Sequence, residues 1–175
     1  MRARVQRLFG AVVLGNLAVN PACAAELMEG YRGEAGATVY RGLAAVAAVV
    51  GGADLETARA GSFVFANLTA APAHRPTLVG FPGALAAIIA LGCSDTTTDQ
   101  QTSMRALRAL ASSPEAREPL VAAGVLESIH LSVTAARDTL VLRDAAACAR
   151  ALALAERNKL AIAVDRLFMG TKCEV

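Results

Sequence analysis

Tryptophan is absent from this chain, and aromatic residues make up only 4% of its 175 positions. The apolar share of 55% is therefore carried mostly by alanine, leucine and valine. Small side chains let helices pack closely, and Ala and Leu rank high in helix propensity. An excess of one charge is also missing: the net charge is +2. That balance gives no footing for a nucleic acid or an anionic membrane surface as partner. A local basic patch remains at the start, where Arg2, Arg4 and Arg7 stand close together. With 18% charged residues the chain is too apolar to be disordered. Its length predicts one domain with a substantial core.

Chemistry-bearing motifs are equally scarce. There is no P-loop, no G-x-G-x-x-G and no H-E-x-x-H. Cys23, Cys93, Cys148 and Cys173 form no C-x-x-C pair, and no histidine stands at ligand spacing from them. They are expected as reduced, buried core residues, and neither metal nor cofactor is expected. His74 and His130 are far apart. Glu127 and His130 share a helix face, but Ser128 and Ser132 point elsewhere, so no nucleophile completes a set. Long apolar runs are missing too. Pro76 to Ser94 is uncharged, but Gly80, Pro82 and Gly83 cut it into pieces too short to span a bilayer. No membrane insertion is expected.

What the chain does contain is an internal repeat. The steps Asn16-Leu17-Ala18, Asn67-Leu68-Thr69 and Ala109-Leu110-Ala111 each close a long helical pattern. Pro21, Pro72 and Pro114 follow at one offset, then Leu27, Leu78 and Leu120. Gly36-Ala37, Gly83-Ala84 and Gly124-Val125 come next. Proline suits the first turn of a helix, and glycine the turn after one. Asn20, Ser113 and Asp54 are natural N-caps. This grammar predicts short first helices at Pro21–Glu29, Pro72–Val79 and Pro114–Ala123. Second helices are expected at Ala37–Val50, Ala84–Leu91 and Val125–Val133, and long third helices at Asp54–Thr69, Thr98–Ser112 and Arg137–Ala153. The first unit is longer because Gly30 to Gly36 holds extra loop. The polar run Asp95 to Gln101 reads as a loop with capping duty, and the register of Ala149 to Ala155 stays open. The chain starts inside a third helix, Arg2 to Val19, and a partial first helix follows Glu156 through Leu160, Val164, Leu167 and Phe168. The predicted layout is one domain: a partial repeat 1–19, repeats at about 20–69, 70–112 and 113–153, a partial repeat 154–168 and a tail 169–175.

The N-terminus permits a second reading. Arg2, Arg4 and Arg7, the apolar stretch Leu8 to Val19 and the small residues Ala22-Cys23-Ala24-Ala25 have the order of a secretory signal. On that alternative the protein is a secreted or periplasmic helical protein. Against it, Asn16 and Asn20 interrupt the apolar stretch, which also matches the repeat.

Leu-Gly-Asn-Leu-Ala at 14–18, Ala-Asn-Leu-Thr at 66–69, Arg-Ala-Leu-Ala at 108–111 and the Gly-Ala-Leu and Gly-Val-Leu starts at Gly83 and Gly124 together resemble the armadillo repeat family, over nearly the whole chain. HEAT-type stacking is the structural alternative. The resemblance implies an all-α, right-handed α-solenoid of about three repeats with partial repeats at both ends. It also implies a concave groove lined by the third helices. In peptide-binding members an Asn near the end of that helix holds an extended backbone, and a Trp one turn earlier packs its side chains. Carried over, the Asn positions are Asn16, Asn67 and Ala109, and the Trp positions are Val12, Phe63 and Arg105. The ladder is incomplete, so scaffold-type members fit better. The expected function is a non-enzymatic scaffold that binds another protein or an extended peptide. Asn16, Phe63, Asn67, Arg105 and Arg108 are the candidate groove residues, and the two arginines would meet an acidic partner. The ends could dock on further repeats or on a partner. The expected compartment is the cytoplasm, with nucleus or cilium as variants.

Overall fold

The computed structural model describes residues 2–33, 38–51, 54–135 and 138–170, with backbone alone for 135 and 165–170. Among these the chain is almost wholly helical. It divides into two compact units, Met1–Leu91 and Gly92–Val175.

The first unit opens with α1 (Arg2–Leu17) and α2 (Pro21–Leu27). Asn20 caps α2 as expected, its side-chain oxygen accepting from the Ala22 and Cys23 amides. Two short antiparallel strands follow, β1 (Tyr31–Arg32) and β2 (Thr38–Val39). The expected helix start at Ala37 is corrected here. Thr38 and Val39 are paired strand, which their β-branched side chains favour, and the Gly36-Ala37 step lies outside the described residues. The second helix, α3, is Arg41–Gly51. The long α4 (Leu55–Leu68) begins at Asp54, whose carboxylate accepts from the Thr57 amide and hydroxyl. After it come a 3-10 turn (Pro72–His74), α5 (Arg75–Gly80) and α6 (Ala84–Gly92).

The second unit is built from α7 (Thr97–Ala111), a 3-10 turn (Pro114–Ala116), α8 (Arg117–Ala122), α9 (Val125–Ala135), α10 (Thr139–Leu152) and α11 (Glu156–Gly170). The first helices are thus shorter than expected. Pro76 and Pro119 donate no N–H, and the chain enters each helix through a 3-10 turn. Ser113 sits at the cap position, but its side chain caps nothing. The polar run is not a loop throughout: α7 starts at Thr97 and buries Asp99 and Gln100. An acid in the first turn complements the helix dipole, and the Gln100 amide donates to the Ser94 carbonyl at 2.8 Å. The helix after Glu156 is long rather than short, with Leu160 exposed. Its range takes in Met169 and Gly170, which were expected in the tail. Arg137 and 171–175 lie outside the described residues.

Several local details of the helices recur from one unit to the other. Asp54, Thr96 and Asp138 occupy the N-cap positions of α4, α7 and α10, 42 residues apart in both steps (54 to 96, 96 to 138). Leu68, Leu110 and Leu152 close these helices and are fully buried, which fixes the register left open around Ala149 to Ala155. Leu17, the counterpart on α1, is exposed. The Arg75 guanidinium donates to the Thr69 carbonyl at 3.0 Å, and Arg117 does the same to Ala111 at 3.1 Å. Each bond satisfies a carbonyl left open at the end of a long helix. Gly83 and Gly124, just before α6 and α9, have φ of +83° and +92°. Only glycine adopts that backbone without strain.

The core of the first unit packs α4 against α1 and α3. It holds Leu43, Val46, Val64, Phe65 and Leu68. That of the second packs α10 against α7 and α9, around Met104, Leu107, Leu110, Val141, Cys148 and Leu152. Each fully buried side chain of this size contributes about 1.5–3 kcal/mol through loss of apolar surface. Cys148 is the cysteine that meets the buried expectation, and desolvation pushes its thiol up to about 12. Cys93 is exposed, Cys23 is half-buried, and Cys173 lies outside the described residues. Among the described residues no single helix is long and apolar enough to cross a membrane. The stretch Pro72–Gly80 plus Ala84–Gly92 is bent by 103° at its break.

Candidate binding groove

In the first unit α1 and α4 run parallel. Near their starts, Arg4 meets the carboxylates of Asp54 at 3.1 Å and Glu56 at 3.3 Å. Near their ends, the Asn67 amide donates to the Gly15 carbonyl at 3.0 Å. Gly15 brings no side chain to this crossing and is buried. Between the two contacts lies an open groove of about 340 Å³.

Its lining has three zones. Glu56 and Arg59 mark one end, with the Arg59 guanidinium 6.0 Å from the centre of the Phe63 ring. Leu8, Val12, Ala60 and Phe63 form an apolar middle. Asn16 and Asn67 close the other end. Phe63 is half-buried and Asn16 exposed, so both remain reachable from solvent. From Leu8 to Asn16 the wall is eight helical steps long, about 12 Å at 1.5 Å each. That is room for about four residues of extended chain at about 3.3 Å per residue.

Three of the five expected groove residues therefore meet in one place: Asn16, Phe63 and Asn67. The spacing of four between Phe63 and Asn67 sets them one helical turn apart on the same face. The Asn67 amide is engaged with the backbone of its own chain, a helix-tying role alongside its place in the lining. Arg59 was missed from the sequence. The signal was present, since Arg59 precedes Phe63 by four and shares its face.

The other two, Arg105 and Arg108, lie on α7 in the second unit. Both are exposed. Arg108 is not held ready for an acidic partner as expected: its guanidinium donates to the Asp144 carboxylate at 2.9 Å. Arg143 donates to the same oxygen at 3.1 Å. The Asp144 side chain is only 7% exposed, against 44% for Arg108 and 62% for Arg143. A desolvated carboxylate needs such partners. At the start of the pair, Gln101 on α7 bonds the N-cap Asp138 of α10. That bond comes first among the influences holding the Asp138 carboxyl below its usual range, followed by the Val141 amide; desolvation opposes them, and the Leu140 amide adds to the lowering.

Elsewhere in the first unit, a wider hollow of about 450 Å³ is lined by Tyr40, Pro76, Phe81 and neighbours. Among the described residues, its lining carries no acidic or basic side chain. Among the described residues no three His, Cys, Asp or Glu side chains gather where a metal could bind. No family model matches the sequence, and no curated protein matches it either.

Proposed function

We propose that this chain is a non-enzymatic, armadillo-like interaction module that holds an extended segment of a partner protein along the α1–α4 groove. The observation that carries this reading is the meeting of Asn16, Phe63 and Asn67 in one open groove. An asparagine amide has both a donor and an acceptor, so it matches the two polar groups of a peptide unit. A half-buried aromatic beside aliphatic walls supplies the apolar contact that anchors a side chain. Right-handed stacking of the repeats belongs to the same proposal. It is supported by the 42-residue recurrence of the helix caps and by the packing of a long helix on the preceding long helix inside each unit. The proposed setting is the cytoplasm, with nucleus or cilium as variants, and the partner is a protein rather than a nucleic acid.

The test is affinity capture with the wild-type chain and with Phe63→Ala, read by quantitative mass spectrometry. Partners depleted from the variant, with its circular dichroism unchanged, support the groove. If Phe63→Ala keeps every partner of the wild type, the groove reading is wrong.

A further inference from the structure

The seam between α7 and α10 has two faces, and the chain carries each of them a second time, uncovered. On α7, Gln101 and Arg108 reach α10, where they bond Asp138 and Asp144. Met104 stands between them at helical spacing and is fully buried. A step of 42 carries this stripe onto α10 as Arg143, Ala146 and Arg150, and all three are exposed. Leu142, in the place of the buried Gln100, is 36% exposed.

The opposite face of the seam recurs on α1. On α10, Asp144 meets α7, and Ala145, Cys148 and Leu152 share its buried side. Two steps of 42 and the 51 from Leu17 to Leu68 carry these four onto Phe9, Gly10, Val13 and Leu17. In α4 the last two places hold Val64 and Leu68, and in α7 they hold Ala106 and Leu110, all buried. On α1 they are open: Val13 is 52% exposed and Leu17 42%, beside Phe9 at 66%.

The two uncovered faces also suit each other in size and charge. At the α7–α10 seam the bulky apolar residue, Met104, belongs to the α7 face. In the uncovered pair the sizes are exchanged: Ala146 leaves room on one face, and Phe9 projects from the other. Phe9 stands in the place of Asp144, and Arg150 in the place of Arg108. A guanidinium over an aromatic ring is attractive where the ion pair is missing.

We infer that this face of α1 is an interface for a second copy of the chain, docked through its α10 face, so that copies join head to tail with Phe9 over Ala146 and Arg150. The occupant is a second copy because the chain carries both halves of the contact, in the register of a seam it already makes. A heterologous contact leaves a free face at each end, so copies keep adding as concentration rises until a ring closes. Phe63 and Asn67 belong to neither face, so the peptide groove is not a premise.

The experiment is sedimentation velocity of the full chain over a wide range of concentration. Wild type is expected to gain mass beyond a dimer. Phe9→Glu blocks one face and Ala146→Glu the other. Each variant alone is expected to stay monomeric where wild type assembles, a weakening of about tenfold or more for a charge forced into an apolar contact. Mixed, the two are expected to form a one-to-one dimer and stop, because each keeps the face the other lacks. Phe9→Lys and Ala146→Lys take their place should either lose the circular dichroism of the wild type. A wild type that stays monomeric throughout overturns the inference. Assembly that survives either variant also overturns it; survival of Ala146→Glu alone would mean that α1 pairs with α1. A mixture that remains monomeric overturns it as well. The peptide groove stands in every one of these cases.

Discussion

In the first unit two long helices meet over Val12, Ala60 and Phe63. In the second, the corresponding helices meet over Arg108, Asp144 and Arg143. The repeat offsets place Asn67 opposite Ala151, Phe63 opposite Ala147 and Val12 opposite Arg105. One repeat grammar thus yields two kinds of seam. One is an open apolar groove with an amide end. The other is bridged by the chain's own carboxylate. The caps, the buried leucines and the glycine turns are shared, and they set the frame. A few positions where the long helices face each other set whether the seam is open or bridged.

The largest effects should come from the shared frame. Leu68→Ala and Leu110→Ala each delete a fully buried side chain and are expected to cost about 2–5 kcal/mol. Urea unfolding measures both. Closely matching costs would support equivalent positions, and a wide gap would break the equivalence.

Next comes the bridged seam. Asp144→Ala removes a largely buried acid shared by two arginines, with an expected loss of about 1.5–3 kcal/mol. A double-mutant cycle with Arg108→Ala should show coupling that persists at high salt, since Asp144 is mostly shielded from solvent. No coupling would mean the seam is held by apolar packing alone.

At the open seam, Asn67→Ala breaks the bond to Gly15 and is expected to cost about 1 kcal/mol. Asn67→Asp should cost a similar amount, because a carboxylate cannot donate to the Gly15 carbonyl. Equal stability of all three proteins would remove the helix-tying role.

The smallest effect concerns acid. Asp138 has a depressed carboxyl, so the unfolded chain takes up its proton first as pH falls. Its contribution to stability is complete above the unfolded value, near 3.8, and is lost as pH drops through the folded value below that. Gln101→Leu removes the largest of the lowering influences and should move the carboxyl upward in an NMR titration. An unmoved titration would deny the Gln101 contact.

How much of this was legible in the sequence follows from range. Helix types, caps at Asn20 and Asp54, and the glycine turns were legible because they are local: each depends on residues within one turn. The 3-10 entries were misread because the second prolines, Pro76 and Pro119, were not weighed. The β1–β2 pair was missed because each strand is two residues long, too short for a period-two pattern to show. At the groove, Asn16, Phe63 and Asn67 followed from repeat position. Arg108 could not be assigned rightly from its own helix, because its partner Asp144 lies 36 residues on and no local pattern marks the pairing. The repeat offset that equates Ala60 with Asp144 was the one available clue, and it required a register that only the burial of Leu152 fixed.

The most direct measurement is a backbone-amide NMR titration of the full chain with an extended peptide from a partner that the wild-type chain captures and Phe63→Ala loses. The account predicts saturable shifts at Val12, Gly15, Asn16, Ala60 and Phe63, with Arg105, Arg108 and Asp144 unmoved. Saturable shifts centred on α7 and α10, or none at the first-unit groove, would contradict it.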